Sequence, residues 1–359
     1  MPTFCRHNRF LDRCPICSAQ ASVTPAAART TRRSPAGTKR ASAQRPGGPR
    51  QRQGDGLRVR REQRTERDGY SSTLIPGVLS SADAGRLADE IAFASGRLKL
   101  LALEAPGLYG ELQRAAAEDL ERATWGCFMT AYLCPLQGRE PFSSIRTALQ
   151  APPGGEDPTL AELELGPRTS HDPARGAATL VAYRQWAACT EVGHDRGAGA
   201  GVEAAAGGLG EGGSEPPPRL CQERAFTGDQ AWSPERRFAR IFERLALPGL
   251  GRMGRYDLLV TLGRLGLYEL RAETLGLAGA RTPGGDDLTA EAAKRIFAIG
   301  DPLLLERRAQ ALAQALEVPV EALDLALANW AAGERATLGV PAETCDEALL
   351  ARAPGVLGI

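Results

Sequence analysis

Aromatic residues make up only 5% of the 359-residue chain, and histidine occurs three times. Lysine is scarce, and long runs of β-branched residues are few. The shortage of strand formers beside abundant Ala, Leu and Arg favours an all-α core. No apolar run approaches the roughly 20 residues of a membrane span. The start, Met-Pro-Thr-Phe-Cys-Arg-His, has no apolar segment of the signal-peptide kind, so a cytoplasmic protein is expected. There is no Walker loop, no dinucleotide fingerprint in its strand-to-helix setting, no His-Glu-x-x-His and no Gly-x-Ser-x-Gly elbow. The formal net charge of +1 points to no partner, so the distribution of charge has to be read instead.

Eight cysteines are too few for a dense disulfide framework in a chain of this length, and three crowd the first seventeen residues. Cys5 and His7, then Cys14 and Cys17 in Cys-Pro-Ile-Cys, form two close pairs of soft ligands. Each pair suits one edge of a zinc tetrahedron, and four filled positions predict a closed structural site. The alternative is a disordered N-terminus with incidental thiols. From about residue 21 to 70 the chain is rich in Arg, Pro, Gly, Ser and Gln and nearly free of large apolar side chains. Such a stretch buries no core and is predicted to be disordered. Its arginines, among them Arg32, Arg33, Arg60 and Arg61, make it a basic tether for polyanions or a merely soluble spacer.

Helical periodicity begins near Tyr70. It predicts a helix over 82–104 and one long helix from Leu112 to about Ala131, closed by Pro135. The end of that helix is apolar on nearly every side and so should be central and buried. Further helices are predicted over 177–188, 290–299, 302–316 and 321–331. Residues 191–219 are Gly- and Ala-rich, then Pro-rich, and read as a flexible insertion. The resulting domains are a zinc knuckle (1–20), a basic linker (21–70), a helical domain (71–335) and a C-terminal tail (336–359).

The chain is organised around Ser233–Leu270. Ser233 is an N-cap with Pro234 at the first helical position. Phe238, Ile241, Phe242 and Leu245 share one face, and Pro248-Gly249 breaks the helix. Gly249, Gly251 and Gly254 punctuate a tight turn before a second helix with Leu258, Leu259, Leu262 and Leu265 inward. Leu-Pro-Gly-x-Gly between two helices is similar to the helix-hairpin-helix of DNA-repair glycosylases, in which backbone N–H groups approach a phosphate. On that reading Gly249 and Gly251 present N–H groups, with Arg252 and Arg255 beside them and Arg236 and Arg237 on the preceding helix. The plainer reading is an αα-hairpin with a Pro-Gly corner and solvated arginines.

A second polar concentration is Arg168-Thr-Ser-His171-Asp172, just before a predicted helix. A guanidinium and two hydroxyls can hold an anion while a histidine beside a carboxylate moves a proton. The same residues can also serve as a turn that satisfies its own backbone.

Three blocks together, 123–142, 166–173 and 226–232 running into the hairpin, resemble the alpha-glutamyl/putrescinyl thymine pyrophosphorylases, specifically their free-standing bacterial clade three. The Cys-x-His…Cys-Pro-x-Cys start and Ala-Ile-Gly-Asp-Pro-Leu-Leu-Leu-Glu-Arg-Arg-Ala also resemble that clade. The resemblance implies an all-α fold related to helix-hairpin-helix DNA glycosylases. It further implies an activity on DNA carrying a pyrophosphorylated 5-hydroxymethyluracil, in which an amine displaces pyrophosphate at the exocyclic methylene. Arg168, His171 and Asp172 are the residues it marks, with Trp125 or Trp186 as stacking partners and Glu306 as a second catalytic carboxylate. DNA, a small amine co-substrate and structural zinc are then the expected partners and cofactor. The competing readings are a noncatalytic DNA-binding protein, using knuckle, linker and hairpin together, and a helical scaffold with no nucleic-acid role.

Overall fold

A computed structural model describes residues 67–150, 160, 162–188, 221–279 and 287–359. All of them fall in the second of the chain's two compact units, Glu62–Ile359. The zinc-knuckle residues, the basic linker up to residue 66 and the 191–219 insertion lie outside the described residues.

The described residues are helical, and no β-strand forms among them. In chain order the helices are α1 (Ser81–Leu103), α2 (Gly107–Ala115), α3 (Leu120–Leu133), α4 (Ser143–Ala148), α5 (Gly176–Ala187) and α6 (Gln222–Thr227). They continue as α7 (Pro234–Arg244), α8 (Arg252–Arg264), α9 (Leu288–Phe297), α10 (Pro302–Ala315), α11 (Glu321–Ala332) and α12 (Glu347–Leu357). None of them is long and apolar enough to cross a membrane.

The starts follow from local chemistry. Ser80, Asp119, Ser233, Asp287, Asp301 and Asp346 each accept a hydrogen bond from a first-turn N–H of the helix that follows. Each such cap is worth about 1 kcal/mol. Asp119 also explains a correction. The single helix expected from Leu112 to Ala131 is two helices, broken at 116–119. The Ala-rich junction gives a periodicity reading no break, but the Asp119 carboxylate takes the Arg122 N–H and starts a new helix.

Helix α3 is the central one: Trp125, Cys127, Phe128, Met129, Tyr132 and Leu133 are all nearly inaccessible. It packs on α2 and α8, while α1 packs on α11 and α11 on α9. Residues 336–359 are not a detached tail. They carry α12, whose Leu349, Ala353 and Leu357 are buried and which packs on α1. The Asp346 cap, buried on Ser95 Oγ at 2.7 Å and on Lys99 at 2.8 Å, ties this helix to the domain.

Candidate active site

The hairpin forms as its sequence requires. Helix α7 buries Phe238, Ile241 and Phe242, and burying each such side chain contributes about 1.5–3 kcal/mol. Gly249 turns the corner at φ +77°, a left-handed conformation that side-chain-bearing residues rarely adopt. A Cβ there would also stand 2.1 Å from Thr179 Oγ1, and the Thr179 hydroxyl donates to the Pro248 carbonyl at 2.8 Å. Gly254 is packed as tightly, since a Cβ would meet Ser170 Oγ at 2.2 Å. Gly251 differs from both. It is the N-cap of α8 at φ −65°, supplies no side-chain cap, and a Cβ on it would touch only Ser170 Oγ at 3.9 Å. Packing therefore does not require glycine at 251, and the first N–H groups of α8 carry no side-chain cap.

The hairpin's neighbours are the 166–175 loop and the start of α5. The loop is stitched to the end of α3, where helix carbonyls lack intrahelical partners. Gly166 N–H donates to the Leu133 carbonyl, while Ser170 N–H and Thr169 Oγ1 both donate to the Tyr132 carbonyl. Much of the loop's polar density thus serves the backbone, as the plainer reading of this turn expects. His171 is a different case. It is 8% exposed, its Nδ1 lies 2.9 Å from the Tyr132 hydroxyl, and its Nε2 finds no hydrogen-bond partner among the described residues. The ring lies against Gly176 at the start of α5, where a Cβ would be 2.4 Å from Cε1. Tyr132 is itself held in an aromatic stack with Phe128, which stacks on Tyr183 at 3.6 Å. Burial lowers the His171 pKa below the usual imidazole value, and the Asp172 carboxylate opposes that shift only in part. The imidazole is therefore neutral at pH 7 and able to accept a proton. Asp172 is half exposed, accepts from the Ala174 N–H at 3.0 Å and lies 3.7 Å from Arg175.

The other expected site residues are placed elsewhere than the sequence suggests. Arg168 is 4% exposed, and its guanidinium holds Asp257 at 3.2 Å and Asp324 at 2.7 Å. It does not reach outward to a pyrophosphate. Arg252, expected beside DNA, is 2% exposed and binds Asp287, Asp324 and the Leu275 carbonyl. Arg255 is stacked on Phe242 and donates to the Phe242 carbonyl at 3.0 Å. Arg237 is spent on the Thr227 and Trp232 carbonyls and on Glu269. Arg236 is exposed, but it stands at the start of α7 whereas the hairpin follows that helix's end. Glu306 is buried on α10 and accepts from the Leu275 and Leu277 N–H groups at 2.7 and 2.5 Å, a fastening for that loop. Trp125 is 1% exposed inside the aromatic stack, and Trp186 packs edge-on against Phe226. Trp125 is thus closed to a base, and Trp186 is only partly buried. Cys5, His7, Cys14 and Cys17 lie outside the described residues.

Sequence reading missed the groups that hold these arginines. Asp257 on α8, Asp287 at the cap of α9 and Asp324 in the first turn of α11 form with Arg168 and Arg252 an alternating chain of buried charges. Burial acts against the Asp324 carboxylate, but Arg252 and Arg168 outweigh it and hold its pKa below the ordinary range. Arg175 was missed as well. It is 63% exposed on its side chain, and its Cβ lies 3.7 Å from where a Gly249 side chain would start. It is an exposed cation next to the hairpin, and its only sequence signal was its place before a predicted helix.

The tertiary structure thus brings Ser170, Arg175 and Thr179 against Gly249, Gly251 and Gly254, with His171 next to Ser170 in the chain and packed on Tyr132 and Gly176. Residues 224–335 match the family model described as alpha-glutamyl/putrescinyl thymine pyrophosphorylase clade 3. The match and the sequence resemblance give the same family. No curated protein and no solved structure matches the chain.

Proposed function

We propose that this chain, whose residues 224–335 match the thymine pyrophosphorylase family of clade 3, is a cytoplasmic enzyme that modifies a thymine-derived base in DNA. The observation that carries the reading is the packing of the buried His171, with its unpartnered Nε2, into the loop that lines the hairpin. Amine transfer requires a base, and a neutral imidazole with one nitrogen unspent among the described residues can serve as one. In the reaction, the amine nitrogen attacks the exocyclic methylene of a pyrophosphorylated 5-hydroxymethyluracil. The new C–N bond forms as the C–O bond breaks, and pyrophosphate leaves with the electron pair. His171 takes the proton that the attacking nitrogen loses. The target base has to leave the duplex to be reached. Backbone N–H groups at Gly251 and the Arg175 guanidinium hold DNA phosphate. Arg175 thus takes the outward role that sequence reasoning gave to Arg252 and Arg255. Mass spectrometry of nucleosides from such DNA, incubated with the protein and candidate amines, tests the reading. Pyrophosphate release with a new thymine adduct supports it, and unchanged nucleosides with every amine overturn it.

One observation favours the alternative, a noncatalytic DNA-binding protein: Arg168, the expected pyrophosphate ligand, is already committed to two aspartates. Both readings place DNA at the hairpin, so binding variants test that shared part. Gly251→Val should fold normally, because the space beside Gly251 is open, and should weaken DNA binding by standing before the α8 N-terminus. Arg175→Ala should lower affinity across sequences and reduce the salt slope by about one. Fluorescence anisotropy at several salt concentrations measures both. Wild-type binding by both variants removes the hairpin from the function.

Structural zinc belongs to the same proposal. The donor set of Cys5, His7, Cys14 and Cys17 fits a closed tetrahedral site. Elemental analysis should find zinc near one equivalent in the full chain and a loss in Cys14→Ser; equal metal content in the two proteins rejects the assignment.

A further inference from the structure

Of the four tryptophans in the chain, Trp125 and Trp330 lie within the hydrophobic core and Trp186 packs against it. Trp232 does neither. It stands in the turn between α6 and α7, is only partly buried, and packs on no part of the core among the described residues. The turn nevertheless holds it firmly. The Asp229 carboxylate accepts from the Ala231 N–H at 2.9 Å, and the Trp232 N–H donates to the Asp229 carbonyl at 3.1 Å. The Trp232 carbonyl in turn accepts from Nη2 of the buried Arg237 at 3.3 Å. Gly228, at φ +60°, leaves the room that the ring fills, since a Cβ there would stand 2.6 Å from Cζ3. A ring fixed in this way loses little further freedom when a ligand settles on it.

Over the ring lies Arg244, the last residue of α7, with its guanidinium 5.3 Å from the ring centroid. Arg244 is exposed, and its side chain enters no hydrogen bond or ion pair among the described residues. The carboxylates of α7 are engaged with other cations, Glu235 with Arg271 and Glu243 with Arg240. The cover on the ring is therefore displaceable. A cation over an exposed aromatic ring is worth roughly two- to fivefold in an equilibrium, whereas a nucleic-acid base stacked on such a ring is worth roughly 5- to 150-fold. We propose that Trp232 and Arg244 grip one unpaired nucleotide of a DNA strand, the base stacked on the indole and a phosphate on the displaced guanidinium. The ring dictates the choice of an unpaired strand. A base inside a duplex is stacked on its neighbours and offers no face to Trp232, so duplex DNA meets the arginine alone. The hairpin is close by along the chain. Arg244 is four residues from Pro248, so at most about 14 Å of backbone separates the two.

This inference rests on reading the hairpin as a DNA contact, and its test separates the two. Fluorescence anisotropy of the full-length protein compares probes of equal length: single-stranded oligothymidylate, the same strand paired with oligoadenylate, and an abasic strand that keeps the phosphates. Trp232→Ala should weaken binding of the thymidylate strand by about fivefold or more and leave the duplex and the abasic strand within about twofold. Arg244→Ala should weaken the thymidylate and abasic strands alike and reduce the salt slope on single strands by about 0.7. Failure of the wild type to bind the thymidylate strand overturns the inference, as does an unchanged affinity in Trp232→Ala or an equal loss on the abasic strand. Should Trp232→Ala fail to fold in a thermal melt, Trp232→Leu, which keeps apolar bulk without an aromatic face, is judged by the same outcomes. If Gly251→Val and Arg175→Ala bind like wild type while Trp232→Ala loses the thymidylate strand, the hairpin reading falls and the nucleotide grip stands. If those two variants lose DNA and Trp232→Ala does not, the grip alone falls.

Discussion

Asp324→Ala should destabilise the domain by about 3–5 kcal/mol, because it leaves two buried guanidinium groups without their shared counter-ion. Asp324 is almost fully enclosed and takes Arg168 on Oδ2 and Arg252 on Oδ1, both at 2.7 Å. No neighbouring carboxylate takes over both contacts: Asp257 is already on Arg168 and Asp287 on Arg252. Asp324→Asn keeps the shape and removes the charge, so it should fall between wild type and Ala. Urea denaturation followed by circular dichroism measures both variants. A loss under about 1 kcal/mol for Ala would show that the charges relax into water, as exposed pairs do. The pH dependence has a definite sign. Since the folded pKa of Asp324 is lowered, its contribution is present above the ordinary carboxylate value of about 3.9 and is lost as pH falls through the lowered folded value. Acid below about pH 4 should therefore weaken the wild type more than Asp324→Asn.

The second large effect is on turnover. His171→Ala should slow amine transfer by roughly two to four orders of magnitude, the usual worth of a positioned base. DNA affinity should stay within about twofold, because the hairpin backbone and Arg175 do not depend on the imidazole. Tyr132→Phe removes the hydroxyl at Nδ1 but leaves the ring, so a smaller loss is expected from a positioning residue. Because burial lowers the His171 pKa, the base stays competent to below pH 6.5, and the acidic limb of the rate profile should lie under that value. Single-turnover rates across pH 5–8, with thermal melts as a fold control, test this. Full activity in His171→Ala places the base elsewhere. Unfolding of that variant returns the loop to a structural role, and His171→Gln, which keeps a polar group toward Tyr132, then decides whether chemistry is lost in a folded protein.

The elements that the sequence determines are those set within a few residues. Ser233-Pro234 and Asp301-Pro302 start α7 and α10 as expected, and the 3.6-residue spacing of Phe238, Ile241, Phe242 and Leu245 marks the face that is buried. The Pro248-Gly249 corner was legible for the same reason, since a left-handed backbone needs glycine at that position. The packing of the 166–175 loop on the hairpin, through Ser170 and Arg175, was readable only as a conjecture from a dense polar loop. What makes that loop special is Tyr132 on α3 and Gly254 on α8, both far away in sequence.

The arginines show where sequence reasoning stops. Arg168, Arg175, Arg252 and Arg255 are the same residue type in similar polar settings, and a long charged side chain can bury its stem at almost any surface position. Whether its head meets water, phosphate or a carboxylate depends on partners brought in by other helices. Asp324 lies 72 residues from Arg252 and 156 from Arg168, a separation at which no local pattern carries information. Helical period, caps and turns are local free energies and were written in the chain. Charge pairing in a low-dielectric interior is a tertiary one, and only the packing of α8, α9 and α11 decided which cations face inward and left Arg175 outside.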